Sequence, residues 1–315
     1  MLALLFPGQG SQSVGMGRDV FEASPAARAV FEAADAALGR SLSALCFEGP
    51  EAALVPTEVQ QPAILTTSIA LLRALEEQAP VRPAFLAGHS LGEYTALVAA
   101  GALAFEDAVR LVAARGRFMQ ETVPAGEGAM AAVLKSTPDA VEAACAAERE
   151  ASGRIVSPAN YNAPAQTVIA GHADAVAGAA ARLTAAGARV KALPVSAPFH
   201  CELMAPAAEK LAPELTAVAW RAPGVPVVSN VEAEPNAEAA RIPELLYRQV
   251  TAPVRFVESV QRLAALGVSH VLEIGPGRVL SGLVARIERG IERQSFGVEA
   301  ERTEALVFVS RAGAS

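Results

Sequence analysis

The sequence of 315 residues is poor in aromatic side chains and in positive charge. Phe, Trp and Tyr make up only 5% of a chain that is 52% hydrophobic, and alanine supplies much of the remainder. This composition favours helix-rich α/β packing over an aromatic-rich β-sandwich. The formal net charge is −7 and there is no run of basic residues, which argues against nucleic-acid binding.

Cysteines are equally scarce, and long apolar runs are missing. Cys46, Cys145 and Cys201 are odd in number, far apart and free of C-x-x-C spacing, so we expect a reduced, cytoplasmic protein with no structural metal and no cofactor. The apolar residues 1–6 end at a Pro-Gly pair and follow no basic segment, which predicts a first strand and not a signal peptide. No stretch approaches the roughly 18 apolar residues that a membrane span requires.

The most informative stretch that is present is Ala87-Gly88-His89-Ser90-Leu91-Gly92-Glu93. An apolar run over 85–87 predicts a short buried strand before it, and 94–100 predicts a helix after it. Strand, G-x-S-x-G and helix in this order are typical of a nucleophile elbow, in which glycines allow a strained turn and the serine hydroxyl projects into a cleft. The N-terminus of the following helix offers free N–H groups to a developing oxyanion.

The chain is long enough for one large domain carrying a smaller inserted one. Residues 129–195 predict the order strand, helix, strand, strand, helix, strand, with strands over 129–135, 154–160, 166–170 and 188–194 and helices over 138–149 and 173–186. This order is that of a ferredoxin-like unit. We therefore predict a large α/β domain from residues 1–125 and 196–315, and an inserted ferredoxin-like subdomain over 126–195.

The remaining elements are predicted from hydrophobic periodicity. Helices are expected from Gln61-Pro62 onward and over 105–122, 202–216, 242–250 and 255–266, with a last helix from 279. Strands are expected over 2–6, 226–229 and 269–274, together with an edge strand over 306–309.

Arg115 stands out on the predicted helix over 105–122. It projects into the middle of the apolar stripe, whereas Arg110 and Arg117 project from the opposite face. An inward guanidinium needs a partner because burying an unpaired charge is costly. Either Arg115 forms a structural ion pair with a buried carboxylate, or it is a bidentate site for the carboxylate of a substrate.

A serine nucleophile needs a base, and the chain has four histidines. His89 lies within the elbow, His172 begins a helix and His270 opens a buried strand, so all three are expected to be structural. His200 follows a proline-rich loop where the inserted subdomain rejoins the larger domain, and we predict that it is the base. An α/β-hydrolase would place an Asp or Glu between the serine and the histidine in the chain, as the third member of a catalytic triad, and none stands out there. Either a backbone or amide oxygen orients the histidine, or the hydrolase hypothesis is wrong.

Several motifs together resemble the malonyl-CoA:acyl carrier protein transacylase family of fatty-acid and polyketide synthesis. The similarity runs from about residue 2 to about residue 287, and it implies that the large domain is α/β-hydrolase-like with a parallel sheet. The motifs are Phe6-Pro7-Gly8-Gln9-Gly10-Ser11-Gln12, Gly88-His89-Ser90-Leu91-Gly92-Glu93, Arg115 followed by Phe118-Met119-Gln120, Asn160-Tyr161-Asn162, Pro198-Phe199-His200 and Glu273-Ile274-Gly275-Pro276-Gly277.

The resemblance implies a division of roles in catalysis. It assigns Ser90 as nucleophile and His200 as base, with the backbone carbonyl of Gln249 orienting the histidine, which would account for the missing acid. It assigns the oxyanion hole to the backbone N–H groups of Gln9 and Leu91.

The resemblance also implies how the malonyl group is recognised. It places Arg115 on the free malonyl carboxylate, with Gln61 as a supporting amide. A phenylalanine at the position of Phe199 is typical of members that take malonyl groups. Members that take methylmalonyl groups tend to have a smaller serine there. The implied partners are malonyl-CoA and acyl carrier protein, and we expect a monomer that binds neither nucleic acid nor membranes.

Three other functions are compatible with parts of the sequence. An acyl hydrolase of the same fold typically lacks the arginine. A transferase could take methylmalonyl or another extender unit. A non-catalytic docking protein would not need Ser90, His200 and Arg115. Because the chain is acidic and carrier proteins are acidic, we also predict a basic rim near the cleft, formed by Arg189, Lys191 and Arg278.

Overall fold

The computed structural model describes residues 1–124, 126–195 and 197–314. Within these ranges the strands are β1 (Leu2–Phe6), β2 (Phe85–Gly88), β3 (Gly128–Leu134), β4 (Val156–Ala163), β5 (Gln166–His172), β6 (Arg189–Ala192), β7 (Val227–Val228), β8 (Pro235–Asn236), β9 (His270–Ile274) and β10 (Glu292–Phe296). The α-helices are α1 (Arg18–Ala23), α2 (Pro25–Leu38), α3 (Leu42–Glu48), α4 (Thr57–Glu76), α5 (Leu91–Ala99), α6 (Phe105–Thr122), α7 (Pro138–Ser152), α8 (Ala173–Ala185), α9 (Ala205–Ala217), α10 (Ile242–Thr251), α11 (Phe256–Ala265), α12 (Val279–Ile287) and α13 (Arg302–Ala314).

The larger of two sheets has the order β10-β9-β1-β2-β7-β8, and all its neighbours are parallel except β7 and β8. All five residues of β1 are buried because helices cover both faces of the sheet. Such a strand is a continuous apolar run and not an alternating one. The carboxyl ends of β1 and β2 lie side by side, with Phe6 opposite Gly88. Loops that follow these two strands therefore meet at one edge of the sheet.

The second sheet is antiparallel and has the order β4-β5-β3-β6. Helices α7 and α8 pack on it around a small apolar cluster of their own, which includes Val133, Val141 and Ile169. Its strand β4 touches the larger unit, since Asn160 bridges to Val254 in a parallel arrangement. The molecule is thus a mixed α/β protein with a parallel sheet and a separate antiparallel sheet. The predicted domain boundaries fall at residues 125 and 196, which lie outside the described residues.

Two close approaches require glycine at the end of β2. A Cβ on Gly88 would lie 2.0 Å from the carbonyl carbon and oxygen of Gly92, and a Cβ on Gly92 would lie 2.0 Å from the carbonyl oxygen of Phe6. These contacts are with backbone atoms, which cannot rotate away as a side chain can. Strand β1, strand β2 and helix α5 can therefore pack this closely only with glycine at both positions.

Most predicted elements are present, and two predictions need correction. The helix over 105–122 is confirmed as α6. Helix α4 begins at Thr57, so Pro62 lies inside it and does not open it. Proline removes one backbone hydrogen bond from the helix. Nearly every residue of α4 is buried, and this packing keeps the helix continuous across Pro62.

The second correction concerns the C-terminal segment. The predicted edge strand over 306–309 is wrong, because these residues lie in α13. Its buried residues have the spacing of one helix face; they are Ala305, Phe308, Val309 and Ala312. The short apolar run over 306–309 was ambiguous, because periodicity alone cannot distinguish a strand from a helix over so few residues. One edge strand of the larger sheet is instead β10, whose first three residues, 292–294, are polar and gave no apolar signal.

No helix among the described residues is long and apolar enough to cross a membrane. Cys46, Cys145 and Cys201 are all buried and free.

Candidate active site

Ser90 lies in a strained turn between β2 and α5. Its backbone has φ +53° and ψ −107°, a conformation that is unfavourable for a residue with a side chain. The side chain is nonetheless almost buried, with the residue 7% exposed. Structure around a strained residue must hold it in place, and strain of this kind is typical of functional positions.

Asn230 holds this turn from the loop after β7. The backbone N–H of Ser90 donates to Asn230 Oδ1 at 2.7 Å, and Asn230 Nδ2 donates to the carbonyl oxygen of Gly88 at 2.7 Å. One side-chain amide therefore bridges both sides of the elbow. The backbone N–H of Asn230 in turn donates to Glu93 Oε2 at 3.0 Å, which links the loop to helix α5.

His200 faces the serine. The distance from Ser90 Oγ to His200 Nε2 is 2.7 Å, and His200 Nδ1 lies 2.8 Å from the backbone carbonyl oxygen of Gln249. A carbonyl oxygen can only accept, so Nδ1 carries the proton and Nε2 is free to accept the proton of the serine hydroxyl. The backbone geometry fixes the tautomer that a general base needs without an acidic side chain.

The surroundings keep this imidazole neutral. Burial, followed by the positive charge of Arg115, lowers the pKa of His200 to about 3. Both effects disfavour the imidazolium form. His200 is therefore unprotonated at Nε2 throughout the neutral pH range.

Arg115 reaches the same oxygen from helix α6. It is fully buried, and it donates from Nη2 to Ser90 Oγ at 3.1 Å and to Gln249 Oε1 at 3.0 Å, and from Nη1 to Gln61 Oε1 at 2.7 Å. Its guanidinium also lies over the ring of Tyr94, 5.3 Å from the centroid. Within the described ranges Arg115 makes no ion pair. The structural ion pair considered from the sequence is thus not found there, and neutral amide oxygens surround the cation instead.

The two predicted oxyanion donors lie on adjacent elements. Leu91 is the first residue of α5, so its N–H is one of those that a helix leaves without an intrahelical acceptor. Gln9 follows β1, next to the elbow, where the N–H of His89 donates to the carbonyl oxygen of Phe6 at 3.1 Å. The Gln9 side chain turns toward α4 and donates to Gln60 Oε1 at 2.6 Å.

Phe199 and Gln61 complete the set of predicted residues. Phe199 immediately precedes His200, is 8% exposed and packs in the main apolar core. Gln61 is fully buried on α4, with its amide oxygen on Arg115. Hydrogen bonds therefore join five of the predicted residues: Ser90, His200, Arg115, Gln61 and Gln249. Leu91 and Phe199 are the chain neighbours of Ser90 and His200, and Gln9 follows the strand beside the elbow. In the part of the chain that the structure describes, no group of three or more His, Cys, Asp or Glu residues is arranged to hold a metal ion.

This arrangement agrees with comparisons to known proteins. The family model for the acyl transferase domain matches residues 3–305. The chain belongs to this family. It is 49% identical over 305 residues to the malonyl CoA-acyl carrier protein transacylase of Salmonella typhimurium, covering 96% of this chain and 98% of the relative.

Solved structures of other acyl transferases superpose closely. The malonyl CoA-acyl carrier protein transacylase of Coxiella burnetii matches with a TM-score of 0.95 at 41% identity, covering 98% of this chain and 97% of that one. A malonyl-transacylase in complex with a type II polyketide synthase acyl-carrier protein matches with a TM-score of 0.94 at 44% identity. The match covers 97% of this chain and 99% of that one. The resemblance to the malonyl-CoA:acyl carrier protein transacylase family is confirmed, and the chain is an acyltransferase.

Sequence reasoning missed three groups of this acyltransferase site. They are Asn230, the carboxyl group of Glu93 and the side-chain amide of Gln249, which was considered only for its backbone carbonyl. Gln249 Nε2 donates to the carbonyl oxygen of Ser90 at 3.0 Å and to Glu93 Oε2 at 2.7 Å. The position of Glu93 was a usable signal, because it lies three residues after the serine, in the first turn of a short and mainly apolar helix. A carboxylate there interacts favourably with the N-terminus of the helix. Asn230 gave no signal.

The residues of the predicted basic rim lie on two elements. Arg189 and Lys191 are exposed on β6. Arg278 precedes α12 and forms an ion pair with Glu301. Arg189 also lines a surface cavity of about 400 Å³ together with Lys135 and Arg286.

Proposed function

We propose that this acyltransferase moves a malonyl group from malonyl-CoA to the phosphopantetheine thiol of acyl carrier protein, through an ester on Ser90. The observation that carries the proposal is the contact of one serine oxygen with both a neutral imidazole and a buried guanidinium that has no ion-pair partner among the described residues. The first group activates the nucleophile, and the second provides a site for a carboxylate on the acyl group.

In the first half of the reaction Ser90 Oγ attacks the thioester carbonyl while His200 Nε2 takes the hydroxyl proton. The backbone N–H groups of Gln9 and Leu91 stabilise the tetrahedral oxyanion. The C–S bond then breaks, and His200 returns its proton to the departing CoA sulfur. The products are a malonyl-serine ester and CoA with a free thiol.

The second half reverses these steps with a different thiol. The phosphopantetheine thiol of the carrier protein loses its proton to His200 as its sulfur attacks the ester. The tetrahedral intermediate collapses by releasing Ser90, which regains the proton. One channel can serve both halves because CoA and the carrier protein present the same pantetheine arm.

Arg115 determines which acyl group is accepted. A malonyl carboxylate can accept hydrogen bonds from the guanidinium, whereas an acetyl group would leave the buried cation without an anion. A site built to bind a polar group rejects an analogue that lacks the group, by up to about 10⁴-fold in favourable cases. Phe199, next to the base, limits the room for a larger extender unit such as methylmalonyl.

The carrier protein is the proposed second substrate, and the relatives carry it in their names. Arg189 and Lys191, with Lys135 and Arg286 around the neighbouring cavity, form a positive surface on an otherwise acidic chain. Such a surface attracts an acidic partner and accelerates association. Arg278 contributes less because Glu301 offsets its charge.

Other parts of the proposal concern organisation. The order β4-β5-β3-β6 with two helices supports a ferredoxin-like subdomain over 126–195, inserted in an α/β-hydrolase-like domain. We expect a cytoplasmic monomer, and the proposed chemistry uses only side chains and backbone N–H groups of this chain.

Intact mass spectrometry tests the proposal directly. Wild type and Arg115→Ala are each mixed with malonyl-CoA or with acetyl-CoA, and the mass of the adduct is read. We expect a malonyl adduct on the wild type, little acetyl adduct, and the opposite preference in the variant. Ser90→Ala is the control and should carry neither group.

Two results would contradict the proposal. An adduct that disappears within seconds in the absence of an acceptor thiol would indicate an acyl hydrolase. Equal labelling of the wild type by both donors would indicate a transferase of broad range, in which Arg115 does not select the acyl group.

A further inference from the structure

Glu93 is a buried carboxyl group behind the nucleophile. It lies in the first turn of α5 and is 3% exposed. Its Oε2 accepts a hydrogen bond of 2.7 Å from Gln249 Nε2 and one of 3.0 Å from the backbone N–H of Asn230. It touches none of the reacting atoms, so the proposed mechanism leaves it without a role.

Glu93 determines how the amide of Gln249 is oriented. A carboxylate accepts hydrogen bonds, so it holds the NH₂ end of the amide and turns the oxygen toward Arg115. The flipped amide would place donors against the donors of the guanidinium. The backbone carbonyl of Gln249 also orients His200. Through Gln249, Glu93 therefore influences both the base, His200, and the cation proposed to bind the acyl group, Arg115.

The charges around Glu93 are few. Arg115 on α6 is the cation, Tyr94 on α5 is a neutral phenol, and His200 is a neutral imidazole. Among the described residues, helix α10 contributes the uncharged side-chain amide of Gln249, and the loop after β7 contributes the backbone N–H of Asn230. Ionised Glu93 therefore balances the charge of Arg115 before any acyl group arrives. A malonyl carboxylate on Arg115 brings a second anion to a site that holds a single cation.

Glu93 is poised to change its protonation state. Burial raises the pKa of Glu93 to about 7, against the opposing effects of the Asn230 N–H, the Gln249 amide and Arg115. An additional nearby anion raises it further. Both hydrogen bonds fall on Oε2, so a proton on Oε1 leaves them intact.

A small cavity lies next to Glu93. Its volume is about 10 Å³, close to the space that one water molecule needs, and Ser229 and Asn236 are among its lining residues. The Ser229 hydroxyl is buried and has no hydrogen-bond partner within the described ranges. The other lining residues, Leu97, Val227, Ile242 and Leu245, are aliphatic, so Ser229 and Asn236 are the polar groups that face the carboxyl group across this cavity.

We propose that Glu93 is a positioning residue that takes up a proton when a malonyl group is loaded, so that the site exchanges one counter-anion of Arg115 for another. This inference rests on the proposed function of the site. Above about pH 7 the free enzyme holds Glu93 mainly as a carboxylate, and the malonyl-enzyme holds it as a carboxylic acid. The proton comes from solvent, because the serine proton leaves with the CoA thiol.

The experiment measures proton uptake during loading. Enzyme at a concentration comparable to malonyl-CoA is mixed in weak buffer with a pH indicator, near pH 7.5, and the malonyl adduct is quantified by mass in the same samples. We expect the wild type to take up as much as about one proton per malonyl group and Glu93→Gln to take up none. Glutamine keeps an oxygen for both hydrogen bonds and removes only the charge.

The pH dependence gives a second readout that a merely structural role would not change. Loading that consumes a proton becomes less favourable as the pH rises. Above about pH 7 the loading equilibrium of the wild type should fall by up to about tenfold per pH unit relative to Glu93→Gln. Ionisation of the CoA thiol affects both proteins equally and cancels in the ratio.

Glu273→Gln is the matched control. Glu273 is also a buried carboxyl group, but it accepts the backbone N–H groups of Leu280 and Ser281 at the start of α12 and does not contact the Gln249 network. We expect this variant to lose stability and to retain the proton uptake of the wild type.

The outcomes separate the two proposals. A malonyl adduct without proton uptake in the wild type, or with equal uptake in Glu93→Gln, would overturn the role of Glu93 and leave the transacylase function standing. Absence of any malonyl adduct would overturn the function itself. If Glu93→Gln does not fold, the wild-type measurements across pH still decide, since the absence of uptake between pH 7 and 8 contradicts the proposal.

Discussion

Arg115 Nη2 donates a hydrogen bond of 3.1 Å to Ser90 Oγ, the same oxygen whose proton faces His200 Nε2 at 2.7 Å. The serine oxygen thus accepts from a cation on one side and donates to a base on the other. This arrangement fixes the hydroxyl rotamer and stabilises negative charge on the oxygen as it attacks. The residue proposed to select the acyl group is therefore also in contact with the nucleophile before any substrate binds.

The first prediction concerns the pH dependence of the nucleophile. Because the pKa of His200 is lowered to about 3, Ser90 should retain its reactivity toward a fluorophosphonate reagent between pH 7 and pH 5. With a base of ordinary histidine pKa, about 6.5, the labelling rate would fall about 25-fold over this range. Arg115→Ala removes the second-largest cause of the shift, so the acid limb of its labelling profile should move to higher pH. A wild-type acid limb near pH 6.5 would contradict this assignment.

The second prediction concerns the close packing at the elbow. Gly92→Ala would place a Cβ 2.0 Å from the carbonyl oxygen of Phe6, so we expect the free energy of unfolding to fall by about 3 kcal/mol or more. Gly282→Ala is the matched control, since its Cβ meets no atom within 4 Å and alanine favours the helix by about 0.5–1 kcal/mol. Urea unfolding of both variants measures the difference, and equal stability would show that the backbone at the elbow can move.

The third prediction concerns Asn230. Asn230→Ala leaves the N–H of Ser90 and the carbonyl of Gly88 without their partner, which should cost about 1–3 kcal/mol of stability. The strained serine should also lose its orientation, so kcat should fall at least tenfold, an effect of about 1.4 kcal/mol on the barrier.

Ser24→Ala provides the comparison for Asn230→Ala. Ser24 caps helix α2 by accepting from the N–H of Ala27 at 3.1 Å, far along the chain from the site. Its loss should lower stability by a comparable amount, about 0.5–2 kcal/mol, with unchanged kcat. Similar kcat values for the two variants would show that Asn230 contributes only to folding.

The fourth prediction concerns the basic rim. Arg189→Glu and Lys191→Glu should raise the KM for carrier protein severalfold and leave the KM for malonyl-CoA unchanged, because rim charges act mainly on association. Arg278→Glu should have a smaller effect, since Arg278 already pairs with Glu301. Arg82→Glu is the control, as Arg82 precedes β2 at the opposite end of the sheet from Ser90. Equal effects of all four substitutions would place the docking surface elsewhere.

The sequence alone indicated those parts of the site that depend on neighbours in the chain. The strand, the two glycines and the helix around Ser90 interact within a few residues, so their sequence pattern carries the steric requirement. Arg115 was singled out because helical periodicity places it among apolar residues, and the structure shows it fully buried. Periodicity failed for α13 and β10, where a short apolar run and a polar edge strand gave misleading signals.

The groups that surround the buried charges of Glu93 and Arg115 could not be predicted from local sequence patterns. Asn230 and Gln249 lie 137 and 156 residues from Glu93 along the chain, yet each donates a hydrogen bond to its carboxylate. Amide side chains have no periodic signature, and their partners depend on how α10 and the loop after β7 pack against α5. Local sequence patterns therefore sufficed to predict the geometry of the nucleophile and the inward position of the guanidinium. Long-range packing placed His200 against a backbone carbonyl and Arg115 among the amide oxygens of Gln61 and Gln249, because these contacts exist only once distant segments meet.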